Sequence, residues 1–453
     1  MSRITILAPL VTLALAAPAM ATDYPAPSDP GKVQTKPAGP HHTLKVCPKK
    51  GKKAKGCFKT IQKAINKAKA GDTVKVPDGT YSEGVQIQGA AKRYLTLVGN
   101  VKHPEKVVLD ATKIKKSNPA KSNGVLINGA NEVTVKGFTA QHYNGNGFFV
   151  TNAANYHFTD DIARYVGVYG LYAFNTIGGE MRRDIGAWNN DSGFYVGQTP
   201  KQTKPIRTII SDVVSYGNVL GYSGTNSRYV TITKSKWFNN GVGIVPNALD
   251  SEKFPPPEQN VITDNDVFWN NFDYYKGAPF TLRPAATGDV PYPTGVGILL
   301  FGGRNNTISN NRIYGNWLLG AGMIEQFLLK NPDDGTLVGN QIINNAFGLN
   351  GTDLNGRDIG YDGNGSGNCV SGNTGVDTIM PEDGKTLVPC PFGGANEFNE
   401  SARNTAVGWA IAPDQSVNYV RHDHAAQGPL SGLLAKYGPI KPLENFSSDA
   451  WGQ

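Results

Sequence analysis

Four glycines, Gly124, Gly147, Gly170 and Gly193, recur every 23 residues, and each opens a short apolar run: Gly124-Val-Leu-Ile, Gly147-Phe-Phe-Val, Gly170-Leu-Tyr-Ala and Gly193-Phe-Tyr-Val. A fixed period of this length marks a stacked solenoid, in which no repeat buries a core alone and each leans on its neighbours. Alternation of apolar and polar positions places three strands in the coil that starts at Gly147: Phe148 to Val150, Tyr156 to Phe158, and Ile162 to Ala163. A second register runs through the bend between the second and third strands, where an inward apolar residue is followed three positions later by a short polar one. It reads Phe158-x-x-Asp161, Met181-x-x-Asp184, Ile209-x-x-Asp212, Ile232-x-x-Ser235, Ile262-x-x-Asn265, Ile308-x-x-Asn311 and Leu337-x-x-Asn340. The pattern predicts an all-β chain of about ten coils around one continuous apolar interior.

Ahead of the repeats, Phe58, Ile61, Ala64, Ile65 and Ala68 fall on one face of a short helix, with Gly71 just beyond it. A solenoid has to cover the open strand edges and apolar surface at its end, and a helix feeding the first coil does so.

The wording from Phe58 to Tyr81, TIQKAI…AGDTVKVPDGTY, resembles the entry of right-handed parallel β-helix proteins of the pectin-lyase-like superfamily. The later stretches NNTISNNRIYGN (305–316) and QNVITDNDVFWNN (259–271) are similar to its carbohydrate-binding and sugar-hydrolase repeats, and the resemblance covers about residues 58 to 375. It implies a right-handed parallel β-helix with a short N-terminal capping helix, and a polysaccharide as partner. It does not select one activity, because the superfamily includes lyases, hydrolases, epimerases, phage spikes and non-enzymes. Its lyases commonly work with an Arg or Lys beside calcium, so calcium is the cofactor implied for a lyase, and none is required for the fold. The Asp-Pro-His-Asp of alginate epimerases is absent, as is the Asn-Thr-Asp, Gly-His-Gly and Arg-Ile-Lys set of polygalacturonases.

The chain divides accordingly. Residues 1–21, with Arg3, an apolar stretch and Ala19-Met20-Ala21, read as a secretory signal peptide. Residues 22–57 read as a flexible basic leader, 58–395 as the capped β-helix and 396–453 as a C-terminal cap or tail. No stretch approaches the roughly 20 apolar residues of a membrane span, so the expected location is secreted, extracellular or periplasmic. In that setting Cys47 with Cys57 and Cys369 with Cys390 are expected disulfides, because local pairing closes the shortest loops and Cys-x-x-Cys zinc spacing is absent.

The formal charge of +8 is unevenly spread. Ten lysines and no acid lie between Lys45 and Lys69, leaving a net −2 for the rest. The patch is either a solvated Lys-rich face or an attachment point for an anionic polymer. No nucleic-acid-binding motif accompanies it.

Alternation on the first strand turns Phe149, Tyr172 and Tyr195 outward on successive coils, a row of flat rings suited to sugar faces. The rival reading is that a loop roofs them. Extra residues at 198–205, 246–259 and 271–294 flank this face and carry Lys201, Lys204, Asp250, Glu252, Lys253, Tyr274, Tyr275, Lys276 and Arg283. From these walls Asp250 and Lys253 are candidate catalytic groups. On the second strand, His157 beside Glu180 is a candidate acid/base pair, against the alternative of plain cross-strand charge pairing. Asp161, Asp184 and Asp212 are either paired carboxylates or rungs of a structural ladder. Arg421-His-Asp-His424 is a weak metal-binding signal, and no metal site is assigned. The expected function is a secreted polysaccharide-active lyase or hydrolase acting on an acidic or cell-wall glycan. The alternative is a non-catalytic glycan-binding or surface structural protein.

Overall fold

The computed structural model describes residues 36–48, 55–275, 278, 292–348 and 353–411. The expected signal peptide, residues 22–35 and 49–54 of the expected leader, Lys276, Arg283 and Arg421-His-Asp-His424 lie outside these residues. The chain winds through three long parallel sheets of 11, 12 and 10 strands, here the first, second and third sheets in the order each coil visits them. One complete coil runs through strands Asn146–Thr151, Ala154–Thr159 and Ile162–Arg164. It pairs in register with Leu171–Phe174, Ile177–Arg182 and Ile185–Ala187 of the next. This is the parallel β-helix expected from the period.

The glycine column marks where the third sheet turns tightly into the first. A Cβ on Gly147 would sit 2.7 Å from the Gly170 carbonyl oxygen and 2.8 Å from Ala163 Cβ, so the corner admits no side chain. Val125, Phe148, Leu171 and Phe194 follow it inward, joining Val135, Phe158, Met181 and Ile210 in a single buried core.

Each corner carries its own column of short polar side chains, and these bind one coil to the next. In the coil containing Asn260, Asn265 and Asn270, the backbone N–H groups of those residues donate to the side-chain oxygens of Asn306, Asn311 and Asn316 at 3.0, 3.0 and 3.1 Å. Their side-chain amides donate to the same oxygens. The middle column matches the sequence register at Asp161, Asp184, Ser235, Asn265 and Asn311, but two expected members are displaced. Val213 occupies the rung assigned to Asp212, because Ile210 rather than Ile209 faces inward opposite Met181. Asp212 sits one residue earlier with φ 58° and pairs with Arg182 at 3.6 Å. Asn340 belongs to the preceding corner, where it accepts from Asn306, and Asn345 takes the middle position.

The N-terminal helix spans Ile61–Lys67, with Thr60 Oγ1 accepting from the Lys63 N–H and Ile61, Ala64 and Ile65 buried. The leader is shorter than the sequence suggests, since Thr43–Lys45 already forms the first strand of the second sheet, beside Thr73–Lys75. Cys47–Cys57 and Cys369–Cys390 are bonded. A second helix, Glu400–Ile411, follows Asn396, which accepts from the Asn368 N–H and extends a corner column.

Asp161 and Asp184 are wholly buried. Each uses one oxygen to accept a backbone N–H at 2.8 Å, from Phe138 and Asp161 respectively, and leaves Oδ2 without a partner. Burial pushes both carboxyls well above 3.8, with the neighbouring carboxylates adding to the rise. A group raised in the folded state binds more protons there, so stability is highest at acid pH and falls as pH climbs from about 4 through the raised values. Asn, the side chain used on later rungs, removes that penalty. Asp184→Asn is expected to raise stability at pH 8 by about 1 kcal/mol with little change at pH 4, whereas Asp184→Ala lowers it by about 1–3 kcal/mol at both by orphaning the Asp161 N–H. Urea denaturation at the two pH values checks this, and an Asn variant weaker than wild type at pH 8 contradicts it.

Candidate functional site

The outward column of the first sheet runs Gln86, Leu126, Phe149, Tyr172, Tyr195, Ser223 and Val245 in register. Its aromatic members meet as expected. Phe149 stacks on Tyr172 with centroids 4.4 Å apart, and Tyr172 meets Tyr195 edge-on at 4.8 Å. Tyr169, which the alternation did not identify, reaches over from the turn ahead of Leu171–Phe174 and lies 4.6 Å from Tyr172 and 4.4 Å from Tyr195.

These contacts correct the expected exposure. Phe149 is 8% exposed and Tyr195 only 2%, leaving Tyr172 and Tyr169 as the half-buried rings. Over Tyr195 the cover is the loop after strand Val242–Asn247. The Tyr195 hydroxyl donates to Glu252 Oε1, and the other Glu252 oxygen lies 2.7 Å from where a Gly197 Cβ would be, so the carboxyl rests on the sheet where one rung lacks a side chain. Glu252 as a residue is half-buried, but its carboxyl end is enclosed. Burial pushes its pKa up to about 8 against the hydrogen bonds from Tyr195 and the Gln198 backbone, and the charge of Asp191 adds to the rise.

Two buried side chains hold this loop. Asn226 Nδ2 donates to the carbonyls of Leu249 and Glu252, each at 2.8 Å. Arg228, with no side-chain exposure, donates to the carbonyls of Thr199, Phe254 and Pro255 and pairs with Glu258. Both occupy the corner between the first and second sheets, where two loops have to be tied down together. Periodicity could not distinguish them from ordinary turn residues.

The four residues nominated as catalytic lie in two separate places, Asp250 and Lys253 on the loop after strand Val242–Asn247 and His157 with Glu180 on the second sheet. Asp250 is exposed and accepts the Lys330 N–H at 2.9 Å, while Lys253 is exposed on the outside of the loop. His157 and Glu180 are register partners on the second sheet, not the first. His157 Nδ1 lies 3.0 Å from Glu180, and Nε2 lies 3.7 Å from Glu132, which makes a run of charge pairs along three coils. Glu252 was noted only as a wall residue. Its signal is burial, which composition and spacing do not report. Among the described residues no group of three or more His, Cys, Asp or Glu side chains is arranged to hold a metal ion.

Towards the C-terminal end the same face is closed. Ala402, Ala406 and Trp409 of the second helix pack with Val296, Leu299, Leu319 and Ile324, and Arg403 pairs with Glu325 beneath the helix. The stretch open to solvent is therefore the N-terminal part, floored by Gln86, Leu126, Asn128, Asn146, Tyr169 and Tyr172.

No protein-family model matches the chain, and no curated protein matches it in sequence. Among solved structures it is similar to the A-module of mannuronan C-5 epimerase AlgE6 of Azotobacter vinelandii, at 14% identity and a TM-score of 0.48, over 73% of this chain and 94% of that one. It is also similar to an alginate lyase of Paenibacillus sp. str. FPU-7, at 11% identity and a TM-score of 0.38, over 75% and 97% of the two chains. A third similarity is to the catalytic domain of a GH87 alpha-1,3-glucanase, at 14% identity and a TM-score of 0.45, over 78% and 68%. The fold assignment rests on the strand pairing above, not on these values.

The Glu252 environment makes a solution prediction. Because its carboxyl is raised from 4.5 to about 8, the folded protein holds an extra proton between those values, and stability falls with rising pH by about 1.4 kcal/mol per unit at the steepest. Glu252→Gln should remove that share of the slope when urea denaturation is followed at pH 5, 6.5 and 8. An unchanged slope in the variant counts against the enclosed carboxyl.

Proposed function

We propose that the protein is a secreted polysaccharide-active enzyme whose glycan lies along the open part of the first sheet, with its reactive bond carried towards Glu252. The observation that supports this reading best is a carboxyl group pushed up to about 8 beside a partly exposed aromatic floor. At neutral pH such a group keeps its proton, which is what a general acid needs in order to protonate a leaving glycosidic oxygen. Tyr172 and Tyr169 offer the flat apolar surface that a sugar ring covers, and Tyr195 orients the carboxyl through its hydroxyl. Asp191, immediately before strand Ser192–Gly197, lies close enough for its charge to act on Glu252 and is the second carboxylate of the proposal. Exposed Lys201, Lys204 and Lys253 on the flanking loops favour an acidic glycan over a neutral one. Two disulfides, together with the signal-like N-terminus, support export.

One observation favours the non-catalytic reading. The loop encloses Glu252 and Tyr195, so catalysis requires it to lift, whereas a glycan-binding protein could use Tyr172 and Tyr169 as they stand. Incubation with polyuronates and neutral glycans, with and without calcium, separates the cases. New ultraviolet absorbance marks elimination, reducing ends without absorbance mark hydrolysis, and retention with neither marks binding alone. For the enzyme, Glu252→Gln is expected to lower turnover by about 10²–10⁴-fold while leaving retention intact. Tyr172→Ala is expected to weaken retention by about 3–10-fold. Normal turnover in the first variant removes the general-acid role, and normal retention in the second removes the aromatic floor. Tyr195→Ala is not a clean probe, since it also uncovers the buried Glu252 carboxyl.

A further inference from the structure

We propose that the third sheet carries a binding site for the carboxylate of an acidic sugar, centred on Arg164 with His142 and Tyr165 beside it. This site lies on a different sheet from the groove and does not rest on the function proposed there.

The third-sheet register sets Asp110, Gln141 and Arg164 side by side on three consecutive coils. Arg164 Nε donates to Gln141 Oε1 at 2.8 Å, and Gln141 Nε2 donates to Asp110 Oδ2 at 2.7 Å. The other Asp110 oxygen accepts the Thr112 N–H at 2.8 Å and its hydroxyl at 2.6 Å, with His142 Nδ1 at 3.1 Å. Burial alone would push the Asp110 carboxyl up, but these hydrogen bonds overcome it and hold the pKa at about 2. The carboxylate is thus ionised and saturated by donors.

The guanidinium has no such compensation. Arg182, Arg183, Arg228, Arg312 and Arg403 each lie on a carboxylate. Arg164 is half-buried, is held only by a neutral amide, and has no carboxylate within ion-pair distance among the described residues. Its Nε is fixed, and among the described residues neither terminal nitrogen has a hydrogen-bond partner, which leaves a planar fork, the geometry that receives a carboxylate through two hydrogen bonds. An arriving carboxylate would supply the counter-ion that Arg164 lacks among the described residues.

An aromatic pair beside the guanidinium favours a sugar as the carrier of the anion. Tyr165 stacks on His142 with centroids 5.9 Å apart and planes 9° from parallel, and it lies within electrostatic reach of Arg164, so the pair offers a surface for the apolar part of a sugar to pack against. The next positions in the Arg164 column, Ala187 and Tyr216, are buried with Trp188 in an aromatic cluster that bounds the site on that side. The Tyr216 hydroxyl is buried, has no hydrogen-bond partner among the described residues, and lies within electrostatic reach of Arg164 and Tyr165.

Titration calorimetry of the whole protein with trigalacturonate, and with the same trimer reduced at its carboxyls, tests the assignment. The wild type is expected to bind the acidic trimer and not the reduced one. Arg164→Ala should weaken binding at least about tenfold, and Arg164→Lys, which keeps the charge but loses the fork, should fall between. Repeating the Arg164→Ala comparison in a Tyr172→Ala background, which weakens the groove on the first sheet, should give the same loss. The proposal is overturned if Arg164→Ala binds like wild type, if the reduced trimer binds equally, or if the loss caused by Arg164→Ala disappears in the Tyr172→Ala background. Displacement by sulfate as effective as by galacturonate overturns the sugar assignment. Groove activity can fail while this binding persists, so the two proposals fall separately.

Discussion

Each bend of a stacked coil leaves backbone N–H groups aimed along the stack, where no strand partner waits, and the structure depends on meeting them. The next coil does so with a side-chain oxygen, as when Asn260, Asn265 and Asn270 donate to Asn306, Asn311 and Asn316. Because the acceptor belongs to the neighbouring coil, each bond both satisfies a bend and fixes the register between coils. A slip of one residue would lose all three columns and turn the inward face out.

A scaffold tied at its corners leaves its outer faces free to vary. The first sheet shows three treatments of one surface. Rings and amides remain partly open near Tyr172, a loop held by Asn226 and Arg228 closes over Tyr195, and a helix covers Leu299 and Leu319. The third sheet begins with the Asp110–Gln141–Arg164 chain of hydrogen bonds and continues as the stacked rings of Tyr216, Phe238, Phe268 and Tyr314. The same rung spacing thus serves hydrogen bonding, packing and, on the reading offered here, recognition of a polymer.

The fold was legible because inward positions repeat. The 23-residue glycine column, the capping helix and both local disulfides could be read from spacing, and the strand pairing bears them out. Register failed where two apolar residues stood together: Ile209 and Ile210 each suited the inward position, and the wrong choice displaced Asp212. The five-residue spacing of Asn260, Asn265 and Asn270 was also visible, yet only its middle member was used. The site was less legible because its properties depend on what folds over it. Alternation turned Tyr195 outward correctly but could not show that Glu252 would cover it, or that Asp250 would be exposed and accept the Lys330 N–H.

The most direct test of the groove is hydrogen–deuterium exchange of the mature protein with and without oligogalacturonate and neutral glucan oligomers. The account predicts slowed exchange in residues 166–174, 192–197 and 248–259 for the glycan that is bound, with the second-sheet strands around His157 unchanged. Retention or cleavage of a glycan without protection in any of those segments would contradict it.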